Sequence, residues 1–299
     1  MMFIELTNIT KYYGEGESAF KALKGVNLNI NQGDFLALMG PSGSGKSTMA
    51  NILGCLDVAS SGKYLFDGVD VFALNRNERA LLRRFYIGFI FQGFNLLPRT
   101  TALENVELPL LYRGIKKQER KKMALEALEM VGLNGWETHT SNKLSGGQQQ
   151  RVAIARAIAS KPLFLLADEP TGNLDTKRSL EIMNILKWLN TDLKITILMV
   201  THEAEMAKFA HREVHFLDGN IDPRYLANAT AGANYRGDSA LYADSTSKMD
   251  TAINDKDSAL SKNVTTTIDS KDSTLDSAFK VDSAESAKST PTYTAKESK

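Results

Sequence analysis

The stretch FLALMGPSGSGKSTMANIL, residues 35–53, decides how this chain is read. Phe35, Leu36, Ala37, Leu38 and Met39 form an apolar run of strand length, and from Ser47 the pattern through Met49, Ile52 and Leu53 is that of a helix. Between them GPSGSGKST, residues 40–48, fits G-x-x-x-x-G-K-[ST]. Gly40, Gly43 and Gly45 let the backbone curl until successive N–H groups point inward at phosphate oxygens. The positive end of the helix dipole adds to that field. Lys46 then bridges the β- and γ-phosphates of a nucleoside triphosphate and the Ser47 hydroxyl suits Mg2+, while Ser42, Ser44 and Thr48 complete the phosphate-binding set. A ligand-free strand-to-helix turn has no need of Lys-Ser after its last glycine.

Two later strand ends carry complementary chemistry. LFLLADEP, residues 163–170, is apolar from Leu163 to Ala167, as befits a parallel strand buried on both faces. It ends in Asp168 and Glu169, at the carboxyl end of a strand, where open α/β sheets hold their ligands. Asp168 suits Mg2+ held through water, and Glu169 suits a general base that polarises an attacking water, an effect worth about 10²–10⁴ in rate. The plain alternative, two solvated carboxylates before Pro170, loses ground once the phosphate loop stands upstream. ITILMV, residues 195–200, is another buried strand, and His202 just beyond it can hydrogen-bond a phosphate oxygen. LSGGQ, residues 144–148, offers Ser145 as an N-cap to the helical pattern QQQRVAIARAIAS, a second anion-binding helix start.

With GPSGSGKST, LSGGQ and LFLLADEP in this order, residues 3–220 resemble the ATP-binding cassette (ABC) family. The resemblance implies an α/β P-loop NTPase cassette with a mainly parallel core sheet, an antiparallel β subdomain and a helical subdomain, which binds and hydrolyses ATP with Mg2+. It implies that Tyr13 in KYYG stacks on adenine, with Tyr12 the alternative. Gln92 in IFQGFNLLP would touch both Mg2+ and the attacking water, and His202 in VTHE would contact the γ-phosphate. Ser145 and Gly147 would close over a γ-phosphate held by a second copy, and Asp175 in TGNLD would lie in the loop that crosses the seam of the homodimer. No catalytic position departs from the family pattern, so an active ATPase is expected.

The rest of the chain organises around this site. Short alternating strands over residues 3–30 and 63–71 suit the antiparallel part, and residues 93–143 read as mostly helical, with the charged run 116–122 a solvated face. The body is expected over residues 1–222. From about Asp222 the composition turns to Asp, Ser, Thr, Ala and Lys, with Asp-Ser recurring at Asp238, Asp244, Asp257, Asp269, Asp272, Asp276 and Asp282. Residues 223–299 are therefore expected to be a disordered, low-complexity tail, too poor in apolar groups to offset the entropy of ordering. Net charge is +1, which does not suggest a nucleic-acid binder. Cys55 is the only cysteine, so no intramolecular disulfide forms, and it reads as a small core residue. His139, His211 and His215 lack the spacing of metal ligands and read as structural.

No run of about 18 apolar residues occurs, so a transporting cassette of this kind borrows its channel from another polypeptide. GCLD, IFQ, TALENVELP and LADEPTGNLD are similar to the MacB, LolD and FtsE branch of the family. That similarity implies integral membrane permease partners of the FtsX or MacB kind, a periplasmic adaptor reached through the complex, and a peripheral location on the cytoplasmic face of the inner membrane. The family resemblance also places the segment from Phe94 to Leu108 against a cytoplasmic helix of the membrane partner, with Leu96, Leu97 and Leu103 as its exposed apolar residues. The work would be export, lipoprotein release or force transmission. Two other readings stay open at this point: a soluble ABC-type machine on nucleic acid or ribosomes, and an ATP-switched interaction module.

Overall fold

The computed structural model describes residues 2–16 and 19–230. Its elements run β1 (Met2–Tyr13), β2 (Phe20–Asn31), β3 (Phe35–Met39), α1 (Lys46–Leu53), β4 (Ser61–Phe66), β5 (Val69–Asp70), α2 (Arg76–Tyr86), β6 (Ile87–Phe91), α3 (Ala102–Tyr112), α4 (Lys117–Met130), α5 (Gly146–Ile158), β7 (Phe164–Asp168), α6 (Thr176–Thr191), β8 (Thr196–Val200), α7 (Ala204–Ala207), β9 (Arg212–Leu217), β10 (Asn220–Ile221) and α8 (Leu226–Thr230). They form two sheets. One is antiparallel, in the order β2-β1-β4-β5; the other runs β10-β9-β3-β8-β7-β6. In the second sheet β9, β3, β8, β7 and β6 are parallel, and β10 folds back on β9 as an antiparallel edge.

The apolar runs read as strands are buried on both faces because each central strand shares its side chains between two cores. Phe35, Ala37, Leu165, Ala167, Ile197 and Met199 face a core built with α3, α4, α5 and α6. Leu36, Leu38, Phe164, Leu166, Leu198 and Val200 face the other, built with α1 and the antiparallel sheet. Period-two alternation thus survives beneath a continuous apolar sequence. Helix starts are equally local in origin: Asn75, Thr101 and Ser145 each form a reciprocal capping box with Glu78, Glu104 and Gln148.

Three features depart from the sequence reading. The folded body does not end at Asp222. A 3-10 turn at Pro223–Tyr225 and then α8 follow, with Ala229 fully buried in the second core and Tyr225 stacked 3.9 Å from the His215 ring. The cause is local: the Asp222 carboxylate accepts from Arg224 N at 3.0 Å and from the Arg224 guanidinium, turning the chain back onto the sheet. The expected tail over residues 231–299 lies outside the described residues. The helical layer is also longer than residues 93–143, since α5 packs with α3 and α4. Third, of three leucines in and after the Gln92 loop, only Leu97 is an exposed apolar residue, whereas Leu96 and Leu103 pack against the first core.

Candidate active site

Strand register builds the site. Phe91 of β6 pairs with Asp168 of β7, Asp168 with Val200 of β8, and Val200 with Leu38 of β3. Four parallel strands therefore end in one row, and Gln92, Glu169, His202 and the loop from Gly40 all leave the sheet from its carboxyl edge. A cavity of about 330 Å3 lies there, its wall including Ser42, Lys46, Ser47, Thr48, Asp168 and Glu169 together with His202 and Tyr13.

The phosphate loop has the backbone its glycines allow. Gly40 (φ +140°) passes so close to β9 that a Cβ would fall 2.2 Å from Phe216 O, whereas Gly43 (φ +76°) has open space beside it and lines the cavity. Gly45 (φ +105°) is the N-cap of α1 and supplies no side-chain acceptor, so the first N–H groups of the helix remain available to an anion. Lys46, 9 % exposed, donates to Gly40 O at 2.8 Å and Pro41 O at 2.7 Å. Burial lowers its pKa, against the pull of Glu169 and Asp168. Ser44 does not line the cavity: its hydroxyl is buried without a hydrogen-bond partner behind the loop, and its carbonyl accepts from Gly219 N at 2.9 Å.

Across from Lys46 stand the two carboxylates. Burial raises the Asp168 pKa, the neighbouring Glu169 charge raises it further, and Lys46 offsets part of this. Two carboxylates that penalise each other in a half-buried cleft favour a cation between substrate and protein. Ser47 and Asp168, both on the cavity wall, offer oxygen donors of the kind Mg2+ prefers. Among the described residues no group of three or more His, Cys, Asp and Glu is placed to hold a metal ion. Glu169 sits at φ +46°, its N–H donating to Val200 O at 2.9 Å, and its Oε1 lies 3.0 Å from His202 Nδ1.

The far end of the cavity is aromatic. Tyr13 lines it and Tyr12 does not; the Tyr12 ring instead lies under Lys21 Nζ, 5.2 Å from its centroid. Phe20, which the sequence reading passed over, pairs with Tyr13 across the β1–β2 ladder and stands 61 % exposed on the cavity wall. Its signal was present only in the register of two strands, not in any local motif.

Gln92, Ser145, Gly147 and Asp175 do not line the cavity of this chain. Gln92 is exposed; its carbonyl accepts from Asn173 Nδ2 at 2.8 Å, and a Cβ at Gly172 would meet its Nε2 at 2.7 Å. Ser145 caps α5, accepting from Gln148 N at 3.4 Å, and Asp175 caps α6, accepting from Arg178 N at 3.0 Å. The two loops touch: a Cβ at Gly147 would lie 3.1 Å from Arg178 Cδ and one at Gly146 3.4 Å from Leu174 Cδ2. They form one surface, tied to the acidic strand by buried Gln150, whose Nε2 donates to Pro170 O at 2.7 Å. The loop after Gln92 is anchored by two residues to which the sequence reading assigned no role. Buried Asn105 accepts from Leu97 N at 2.7 Å and donates to Thr100 Oγ1 at 2.6 Å, and Arg156 donates to Phe94 O at 2.8 Å.

Comparison with known proteins agrees with this geometry. The profile of the family described as ABC transporter matches residues 23–172. The ABC transporter ATP-binding protein MJ0796 of Methanocaldococcus jannaschii is 52 % identical over 223 residues, covering 73 % of this chain and 95 % of that protein. The macrolide export ATP-binding/permease protein MacB of Marinobacter nauticus is 51 % identical over 221 residues, 73 % of this chain but only 34 % of MacB. A solved dimeric structure of the MJ0796 cassette in a post-hydrolysis state, bound to ADP and Pi, is similar with a TM-score of 0.68 at 49 % identity, covering 73 % of this chain and 96 % of that one.

Proposed function

This chain belongs to the ABC transporter family as an ATP-hydrolysing, ATP-binding subunit, and from that premise we propose which of its residues carry the reaction and what it drives. The observation that carries the reading is a cavity that gathers the phosphate loop, Asp168, Glu169 and His202 at one edge of the sheet. Gly43, Gly45 and the first turn of α1 cradle the phosphates. The Lys46 ammonium exchanges the Gly40 and Pro41 carbonyls for phosphate oxygens. Glu169 accepts the proton of the attacking water, held in orientation by His202, which also reaches the γ-phosphate. Ser47, Asp168 and Gln92 would hold Mg2+, which neutralises charge on the phosphates when bound. Tyr13 stacks on adenine.

The site is completed by a second copy. Ser145, Gly147 and Asp175 share one surface outside their own chain's cavity, which suits closure over the γ-phosphate of a partner in an ATP-bound homodimer. Among the described residues no helix is long and apolar enough to cross a membrane. The transported cargo then passes through separate permease subunits of the FtsX or MacB kind, with the cassette peripheral on the cytoplasmic face. Likeness to MacB supports export as the work done, while lipoprotein release or force transmission rests on the resemblance of GCLD, IFQ, TALENVELP and LADEPTGNLD to the LolD and FtsE branch.

Glu169→Gln tests the reaction. It keeps shape and removes the base, so it should bind ATP, hydrolyse it at least about 10²-fold more slowly, and accumulate as an ATP-bound dimer in light scattering. A variant that stayed monomeric under ATP and turned over normally would remove Glu169 from this role.

A further inference from the structure

The GCLD segment after α1 takes no part in the chemistry above, yet it is firmly held. Leu56 N and Asp57 N both donate to Asn51 O, at 2.8 and 3.1 Å. Arg83 Nη1 donates to Cys55 O at 2.6 Å, and the buried Tyr64 hydroxyl donates to Leu53 O at 2.8 Å. This turn delivers the Asp57 carboxylate to β1. There Oδ1 accepts from Lys11 Nζ at 2.6 Å and from Val58 N at 2.7 Å, while Oδ2 accepts from the Tyr13 hydroxyl at 2.9 Å. Lys11 also donates to Val58 O at 2.7 Å, and its ammonium stands 4.9 Å from the Tyr13 ring centroid. Burial works to raise the Asp57 pKa, and the hydrogen bonds from Lys11, Val58 and Tyr13 outweigh it, so the carboxylate stays ionised.

We propose that Asp57 is a positioning residue for the nucleobase: with Lys11 it fixes the Tyr13 ring against the cavity. Because it lies in the turn hydrogen-bonded to the end of α1, the helix that springs from the phosphate loop, it also sets that ring at a defined distance from the bound phosphates. The inference rests on the reading of Tyr13 as the adenine-stacking residue. An aromatic platform whose plane is already set binds without the entropic loss of ordering it, and stacking depends on that plane.

The test compares ATP with inorganic tripolyphosphate, which lacks the base, on the full chain. Asp57→Asn and Tyr13→Phe should each weaken ATP binding about 3- to 10-fold, the scale of one hydrogen bond. Both should leave tripolyphosphate affinity within about two-fold, well under a kilocalorie, and the double variant should be no weaker than either single one. Tyr13→Ala should lose more. If Tyr13→Ala weakens ATP while Tyr13→Phe and Asp57→Asn do not, the brace is idle and stacking stands. If Asp57→Asn weakens tripolyphosphate as much as ATP, the residue acts through α1 and the proposal falls. If Tyr13→Ala changes nothing, the stacking reading falls and this inference with it.

Discussion

Glu169 Oε1 lies 3.0 Å from His202 Nδ1, and Glu169 reaches that position only by adopting φ +46°, a left-handed backbone that a glutamate rarely takes. Strain of this kind costs about 1 kcal/mol or more and persists where the surroundings enforce it. Here they do: Glu169 N donates to Val200 O, and Pro170 O is held by buried Gln150. Replacement by glycine relieves the strain and deletes the carboxylate proposed as the base together. Glu169→Gly should therefore unfold no earlier than wild type in a thermal melt, although glycine placed elsewhere costs about 0.5–1 kcal/mol, while hydrolysis falls at least about 10²-fold. A clear drop in melting temperature would mean that the residue is not strained.

Lys46→Ala should abolish nucleotide binding. Half-buried Asp168 and Glu169 favour the charged form of Lys46 against its burial, and alanine would leave phosphate charge uncompensated in the loop. Equilibrium titration with labelled ATP decides it, and undiminished affinity would exclude the phosphate loop from binding.

What could be read from the sequence was what chemistry writes locally. Gly40, Lys46, Ser47, Asp168 and Glu169 announce themselves through residue type and spacing, and the strands beneath them through apolar runs such as 35–39 and 195–200. Phe20 and Asp57 were silent because their part depends on pairing between distant segments: Phe20 on the β1–β2 register, Asp57 on a hydrogen bond to Tyr13. The end of the body was misplaced because the 3-10 turn at Pro223–Tyr225 and α8 are too short to show a helical period, and Tyr225 and Ala229 are the apolar groups that pack from them onto the second core. Exposure of Leu96 and Leu103 could not be judged without knowing that α3 folds them onto a core.

The misplaced boundary gives a prediction of its own. A chain cut after Thr230 should keep its ATPase activity and melting temperature, because residues 231–299 are too poor in apolar groups to contribute much burial. A chain cut after Asp222 loses Tyr225 and Ala229 as well and should be destabilised by about 2 kcal/mol. Equal stability of the two truncations in urea would show that α8 contributes nothing, and a large loss in the longer one would show that the removed residues pack on the body.

Leu97 offers the separation between reaction and coupling. It is 43 % exposed, in a loop whose backbone is fixed by Asn105 and Arg156 and which begins at Gln92, so a partner pressing there can reach the reaction centre through a rigid segment. Leu97→Asp leaves the cavity untouched, so basal ATP hydrolysis of the isolated chain should stay within about three-fold of wild type, a change of under 1 kcal/mol in barrier. Release from the membrane complex should be seen as loss of co-purification with its permease subunits. Leu96→Asp should behave differently, lowering the melting temperature, because Leu96 packs on the core and its carboxylate would be partly buried there without a partner. If Leu97→Asp stayed with the membrane complex, the docking surface would have to lie elsewhere; if wild type never joined one, the chain would act apart from a permease.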